Sequence, residues 1–193
     1  MIRSIPAILA AAFVAACATS PALAQKSKDT LRFPLSEAKS GLDPYLLPGS
    51  FNNTWEPSIW DNLLGFDTAK GTFLPLIAKS WSQPNPTTYE YVLREDLKWH
   101  DGQAVDADDV VYTLNYIIDP KVNLRYKANW TWLKSVEKLG PYKIRVTSKS
   151  PVPDGMMWMA FNTSILPEHI HGPLADKQEF AAHPVGTGPL KIA

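Results

Sequence analysis

The chain has 193 residues, 45% of them hydrophobic and 20% charged, with Lys+Arg 19 balancing Asp+Glu 19. No basic excess is present to neutralise a phosphate backbone, so nucleic acid is not an expected partner. No G-x-x-x-x-G-K-[ST] segment exists to cradle a nucleotide, no second long apolar run follows the N-terminus, and a single cysteine forbids an internal disulfide.

Residues 1–24 read as an export signal. Arg3 gives a short positive start, Ile5 to Ala16 an apolar stretch too short for a stable span, and Ala22-Leu23-Ala24 a small-residue cleavage site before Gln25. Val14-Ala15-Ala16-Cys17 offers a second route, because it resembles a lipobox that would leave Cys17 lipidated. The position of the A-x-A site, just where polar sequence begins, favours cleavage after Ala24.

Beyond the signal, Leu31 to Leu35 reads as a strand and Ser36 to Pro48, with Gly41, Pro44 and Pro48, as a loop. Asn53 or Thr54 is placed to cap a helix whose apolar face is Ile59, Trp60, Leu63 and Leu64, with Gly65 as its stop. Phe73 to Trp81 reads as loop and short helix, and Gln83 to Thr88 as a polar turn. From Tyr89 to Arg94 the side chains alternate, with Tyr89, Tyr91 and Leu93 on the inward side.

Asp101-Gly102 is a turn signal, since glycine accepts positive φ at little steric cost. Asp106 then caps a helix of about three turns, with Asp109 completing a capping box and Val110, Val111, Leu114, Ile117 and Ile118 at helical spacing. Asp119-Pro120 ends it. Tyr142 to Thr147 alternates as a further strand, Pro151 to Gly155 breaks the pattern, Met156 to Phe161 is apolar without a clear period, and His183 to Lys191 is a loop leading to a strand at Leu190.

Three carboxylates at 106, 108 and 109 raise the possibility of hydrolysis or metal binding. Capping and pairing with the helix dipole account for all three, so they carry no catalytic expectation. Trp99-His100-Asp101 resembles part of a catalytic dyad, but no serine or cysteine stands in a G-x-S-x-G elbow, and it reads as turn structure. Glu168-His169-Ile170-His171 with His183 is a weak metal candidate, because Pro167 and Pro173 bracket it as a loop. Neither a metal nor any other cofactor is expected. The seven tryptophans read as core more readily than as a sugar-stacking platform.

Four blocks in order resemble the family 5 extracellular solute-binding proteins of ABC transporters, the oligopeptide, dipeptide and nickel-binding group. They are Gly41-Leu42-Asp43-Pro44, Ile59 to Asp67, Leu74 to Tyr112, and Ile165-Leu166-Pro167 with His183 to Pro189. Two positions depart from the usual pattern: Asp106 where threonine is common, a cap for a cap, and Leu190 in place of an aromatic.

The resemblance implies an α/β, mixed α+β fold of the periplasmic binding protein kind: the first of two lobes plus a small extra subdomain. It divides the chain into a signal peptide at 1–24, the start of the first lobe at 25–51, the extra subdomain at 52–150 and a return to the first lobe at 151–193. Members are usually more than twice this length, so a truncated form lacking the second lobe is expected, with weak or no ligand binding on its own.

The implied function is capture of peptides, or a related small solute such as a sugar or nickel, in the periplasm and delivery to membrane permease subunits, with no bond made or broken. The ligand contacts it places on this chain are Ser36, Glu37 and Ala38 after the first strand, with Trp158 and Phe161 along the same cleft. A solvated loop for the first three and core packing for the two aromatics are the plainer readings. A secreted hydrolase of peptides or glycans and a non-binding remnant are the alternative readings of the whole chain.

Overall fold

The structure is a computed structural model and describes residues 42–46, 56–124 and 127–192. The expected signal peptide and the strand at Leu31 to Leu35 lie outside the described residues.

The chain first makes a hairpin, β1 (Leu64–Asp67) and β2 (Thr72–Pro75), antiparallel with Phe66 opposite Phe73. The Asp67 carboxylate accepts from the Ala69 and Lys70 amides and so closes the turn between them. A four-stranded antiparallel sheet follows, in the order β3-β4-β6-β5, from β3 (Ala78–Asn85), β4 (Thr88–Leu93), β5 (Leu133–Gly140) and β6 (Lys143–Ser148).

The two central strands alternate as a sheet with one covered face must. Tyr89, Tyr91 and Leu93 of β4 and Ile144 and Val146 of β6 point inward and are buried. On the outer face Glu90 meets both Arg145, its cross-strand partner, and Lys143, each at 2.7 Å. This ion trio pulls the Glu90 carboxyl below the usual range, through its hydrogen bonds to Lys143 and Arg145, and marks the correct register.

Helix α1 (Ala107–Ile118) packs across β5 and β6. Asp106 accepts the Asp108 amide, while Asp109 accepts the Asp106 amide, so the capping box forms as its sequence dictates. Val110, Leu114 and Ile117 are fully buried in the same core as the inward strand residues, each contributing about 1.5–3 kcal/mol. At the far end the Lys127 ammonium donates to the Asp119 and Val122 carbonyls, a cation on the negative end of the helix. Lys127–Trp130 is a short 3-10 turn, and three short helices close the chain: α2 (Gly155–Phe161), α3 (Glu168–His171) and α4 (Gln178–Ala182).

Several expectations need correction. The helix through Ile59 to Leu64 is one helical turn at 56–59, after which Leu64 and Gly65 enter β1. Its stripe is buried as expected, but the backbone is claimed by sheet pairing: Leu63 accepts the Ala78 amide, and Gly65 sits opposite Leu74. Phe73 to Trp81 is two strands with a bend at 76–77 instead of loop and helix, because β2 pairs with β1 and β3 with β4 in neighbouring hairpins. The apolar Met156 to Phe161 is helical, and so is Glu168 to His171. No strand starts at Leu190, although the Gly188 and Leu190 amides do donate to Ile59 and Ser58.

Candidate functional site

Ser36, Glu37 and Ala38 lie outside the described residues. What the structure does show is how the chain is fastened just after them. The Leu42 amide donates to the Ala181 carbonyl at 2.6 Å, and Asp43 Oδ1 accepts the Tyr45 and Leu46 amides at 2.7 and 2.8 Å, a turn built by one aspartate on its own backbone. The Tyr45 hydroxyl donates to the Ser164 carbonyl at 2.6 Å, and the Ser164 hydroxyl donates in turn to Glu56. Asp43 Oδ2 lies 3.6 Å from His171 Nε2, both side chains wholly buried.

His171 belongs to this knot and not to a metal site. Its Nδ1 is 2.5 Å from the Tyr112 hydroxyl, and Tyr112, Tyr116 and Phe180 enclose the ring edge to face at centroid distances of 5.6, 5.0 and 5.0 Å. His169 turns the other way, to Asp101 at 2.8 Å. Among the described residues no cluster of three or more His, Cys, Asp or Glu is placed to hold a metal ion. Burial, reinforced by the Asp43 charge and opposed by the Ser164 hydrogen bond, pushes the Glu56 carboxyl up to about 7.

Trp158 and Phe161 share α2 but part company. Trp158 is half-buried, 6.1 Å from Trp130, which stacks on Trp132 at 6.0 Å. Phe161 is 50% exposed and ends an aromatic row running through Phe66 at 5.5 Å, then Phe73 at 5.2 Å and Trp81 at 6.4 Å. Met157 on the same helix and Leu74 on β2 are also exposed.

The acidic triplet has structural partners throughout. Asp106 caps α1 and Asp108 pairs with Lys138 on β5. Asp109, 4% exposed, accepts from Trp99 Nε1 at 3.0 Å, the Asp106 amide at 3.1 Å and the Glu168 amide at 2.8 Å. Burial raises its carboxyl above the usual range, against the pull of those three donors.

The Trp99-His100-Asp101 turn is likewise a clasp. Gly102 takes φ +94°, and His100 accepts the Gly186 amide at Nδ1 (3.2 Å), which leaves Nε2–H to donate to the Gly188 carbonyl at 2.8 Å. Gly186 must be glycine, since a Cβ there would stand 1.9 Å from the Ile59 carbonyl oxygen. A pocket of about 290 Å³ opens beside this clasp, lined by His100, Asp101, His183 and Lys191 among others, but its His100 and Asp101 are already bonded within the protein.

Sequence reasoning missed Glu56 altogether and weighed His171 only as part of a weak metal candidate that it set aside. Nothing in their spacing signals the knot, because Asp43, Glu56, Ser164 and His171 come from distant parts of the chain.

Comparison with known proteins adds the following. The family profile described as "Bacterial extracellular solute-binding proteins, family 5 Middle" matches residues 72–193. The chain is similar to the oligopeptide-binding protein AppA of Bacillus subtilis, with 35% identity over 54% of this chain and 20% of that protein. It is also similar to the glutathione-binding protein GsiB of Pectobacterium atrosepticum, with 27% identity over 96% of this chain and 35% of the relative. The solved structure of the Bacillus subtilis AppA with a nonapeptide superposes with a TM-score of 0.71 at 25% identity, covering 77% of this chain and 31% of that one. The chain thus spans between a fifth and about a third of the length of these relatives.

Proposed function

The chain belongs to the bacterial extracellular solute-binding proteins of family 5, and from that premise we propose that it serves the substrate-binding component of an ABC importer, capturing peptides and passing them to the membrane permease. The observation that carries this reading is the fold shared with a protein solved around a nonapeptide, together with sequence similarity to relatives named for oligopeptide and glutathione binding. These relatives are binding proteins, not enzymes. The carboxylates that invited a hydrolytic reading of this chain are spent on caps and internal hydrogen bonds.

On this reading residues 52–150 form the extra subdomain, and 25–51 with 151–193 contribute to the first lobe. Export through residues 1–24, with cleavage after Ala24 or lipidation at Cys17, delivers the protein to the periplasm. No helix among the described residues is long and apolar enough to cross a membrane. The ligand contacts of this reading are Trp158 and Phe161, whose exposed phenyl ring receives an apolar side chain, and, as a separate expectation, Ser36, Glu37 and Ala38, with Glu37 to meet a positive group. In a two-lobed receptor affinity comes from closure around the ligand, and these residues supply one face of that cleft.

An NMR titration of the 15N-labelled chain with a pool of di- to hexapeptides tests this. Shifts at Trp158 and Phe161, with the peptides recovered intact, are expected. Peptide cleavage, or no shift at any concentration up to several millimolar, overturns the capture reading.

A further inference from the structure

Two buried polar atoms of the knot have no hydrogen-bond partner: Asp43 Oδ2 and His171 Nε2, which face each other at 3.6 Å. Orphaned polar atoms this deep are costly, and a pair of them in one place marks a poorly satisfied site. Glu56 joins the same spot through two hydroxyls. Asp43 holds the Tyr45 amide, the Tyr45 hydroxyl holds Ser164, and the Ser164 hydroxyl holds Glu56, so the second carboxyl fastens the turn from its other side.

We propose that Asp43, His171 and Glu56 form a proton-operated latch that fastens the Leu42–Leu46 turn to the helical turn at 56–59 and to α3. With Glu56 protonated, one negative charge, that of Asp43, faces the imidazole edge. With Glu56 ionised, two carboxylates stand in one poorly hydrated site, and their repulsion loosens the turn.

The surroundings offer little compensation. Lys177 is the cation nearest in kind, and its ammonium is committed to the carbonyls of His171, Gly172 and Leu174. Burial depresses its pKa, against the pull of Asp43. The other groups facing the site, Tyr45 on the turn and Tyr112 and Tyr116 on α1, have hydroxyls whose pKa is raised by burial, with further contributions from the charges of Glu56, Asp43 and Glu168 among these groups, so they stay neutral. The direction follows. A carboxyl whose folded pKa is raised, here from 4.5 to about 7, gives its full stabilisation below the unfolded value and loses it as pH rises through the folded one. The latch is fully closed below the unfolded value and slackens as pH rises to about 7, levelling off above it. This inference rests on the fold and not on what the cleft holds.

Two measurements on the full chain decide it. The Glu56 side-chain carbon, followed by NMR from pH 4 to 9, titrates with a midpoint near 7; a midpoint at an ordinary glutamate value overturns the latch even if no variant folds. Hydrogen exchange of the Tyr45 and Leu46 amides, corrected for intrinsic base catalysis, shows an opening equilibrium about tenfold larger at pH 8 than at pH 6. In Glu56→Gln the same ratio stays near one. A tenfold rise that persists in the Gln variant, or no rise in the wild type, overturns the proposal.

Discussion

Asp109 is the residue whose replacement separates a structural from a catalytic account of the acidic triplet. Truncation in Asp109→Ala leaves three N–H donors without an acceptor, and one of them belongs to Trp99, a side chain 2% exposed. Each buried donor left unpaired costs about 1–3 kcal/mol, and solvent can reach the Asp106 amide to recover part of it, so a loss of about 3–5 kcal/mol is expected. Asp109→Asn keeps one acceptor oxygen and should lose roughly half as much. Asp106→Ala removes only a cap, about 1 kcal/mol, and Asp108→Ala, at an exposed pair with Lys138, should leave the midpoint nearly unchanged. Urea denaturation of the four variants gives the ranking. The pH dependence adds a second check. Because burial raises the Asp109 carboxyl, its stabilisation is complete below the unfolded value and declines as pH rises through the folded one, so the gap between wild type and Asp109→Asn narrows with rising pH. An Asp109→Ala variant within about 1 kcal/mol of wild type, or an Asp108→Ala variant that loses as much, refutes the reasoning.

Gly186→Ala forces a methyl group onto the Ile59 carbonyl oxygen and should cost about 3 kcal/mol or more, lowering the thermal midpoint and freeing His100 from its two backbone partners; a tolerated alanine would show that the clasp is loose. Phe161→Ser should change stability by about 0.5 kcal/mol or less, since the ring is half exposed, yet abolish the peptide-induced shifts on α2; retention of those shifts removes Phe161 from the proposed ligand face.

The elements legible in the sequence are those whose cause is local. The cap at Asp106, the box with Asp109 and the apolar period through Ile117 all sit within twelve residues, and α1 forms where they place it. β4 and β6 alternate because one face of their sheet meets the core and the other meets water. By contrast β1 and β2 have four residues each and no alternation to read, and Gly65, taken for a helix stop, is a strand residue because Leu74 lies opposite it. β3 carries Pro84 and an irregular register near its end, features that speak for a turn until the partner strand is known.

The candidate site divides in the same way, and the division explains why the family is easier to read than the ligand. The blocks that carry the resemblance, and the residues just beside them or between them, turn out to hold one another. Asp43 faces His171, and Leu166 donates its amide to Thr113 of α1. Asp109 reaches the Glu168 amide, and His100 grips the loop of Gly186 and Gly188, whose tight fit is set by carbonyls at Ser58 and Ile59. Each of these contacts joins segments far apart in the chain, so a motif visible in one block is explained only by the block it touches. Residues of this kind specify a scaffold. Phe161, proposed to meet a ligand, has a side chain that makes no hydrogen bond and leaves no local pattern, because on that reading the contact that fixes its identity is with another molecule. Resemblance in the interlocking blocks therefore constrains the fold tightly and the exposed aromatic face hardly at all.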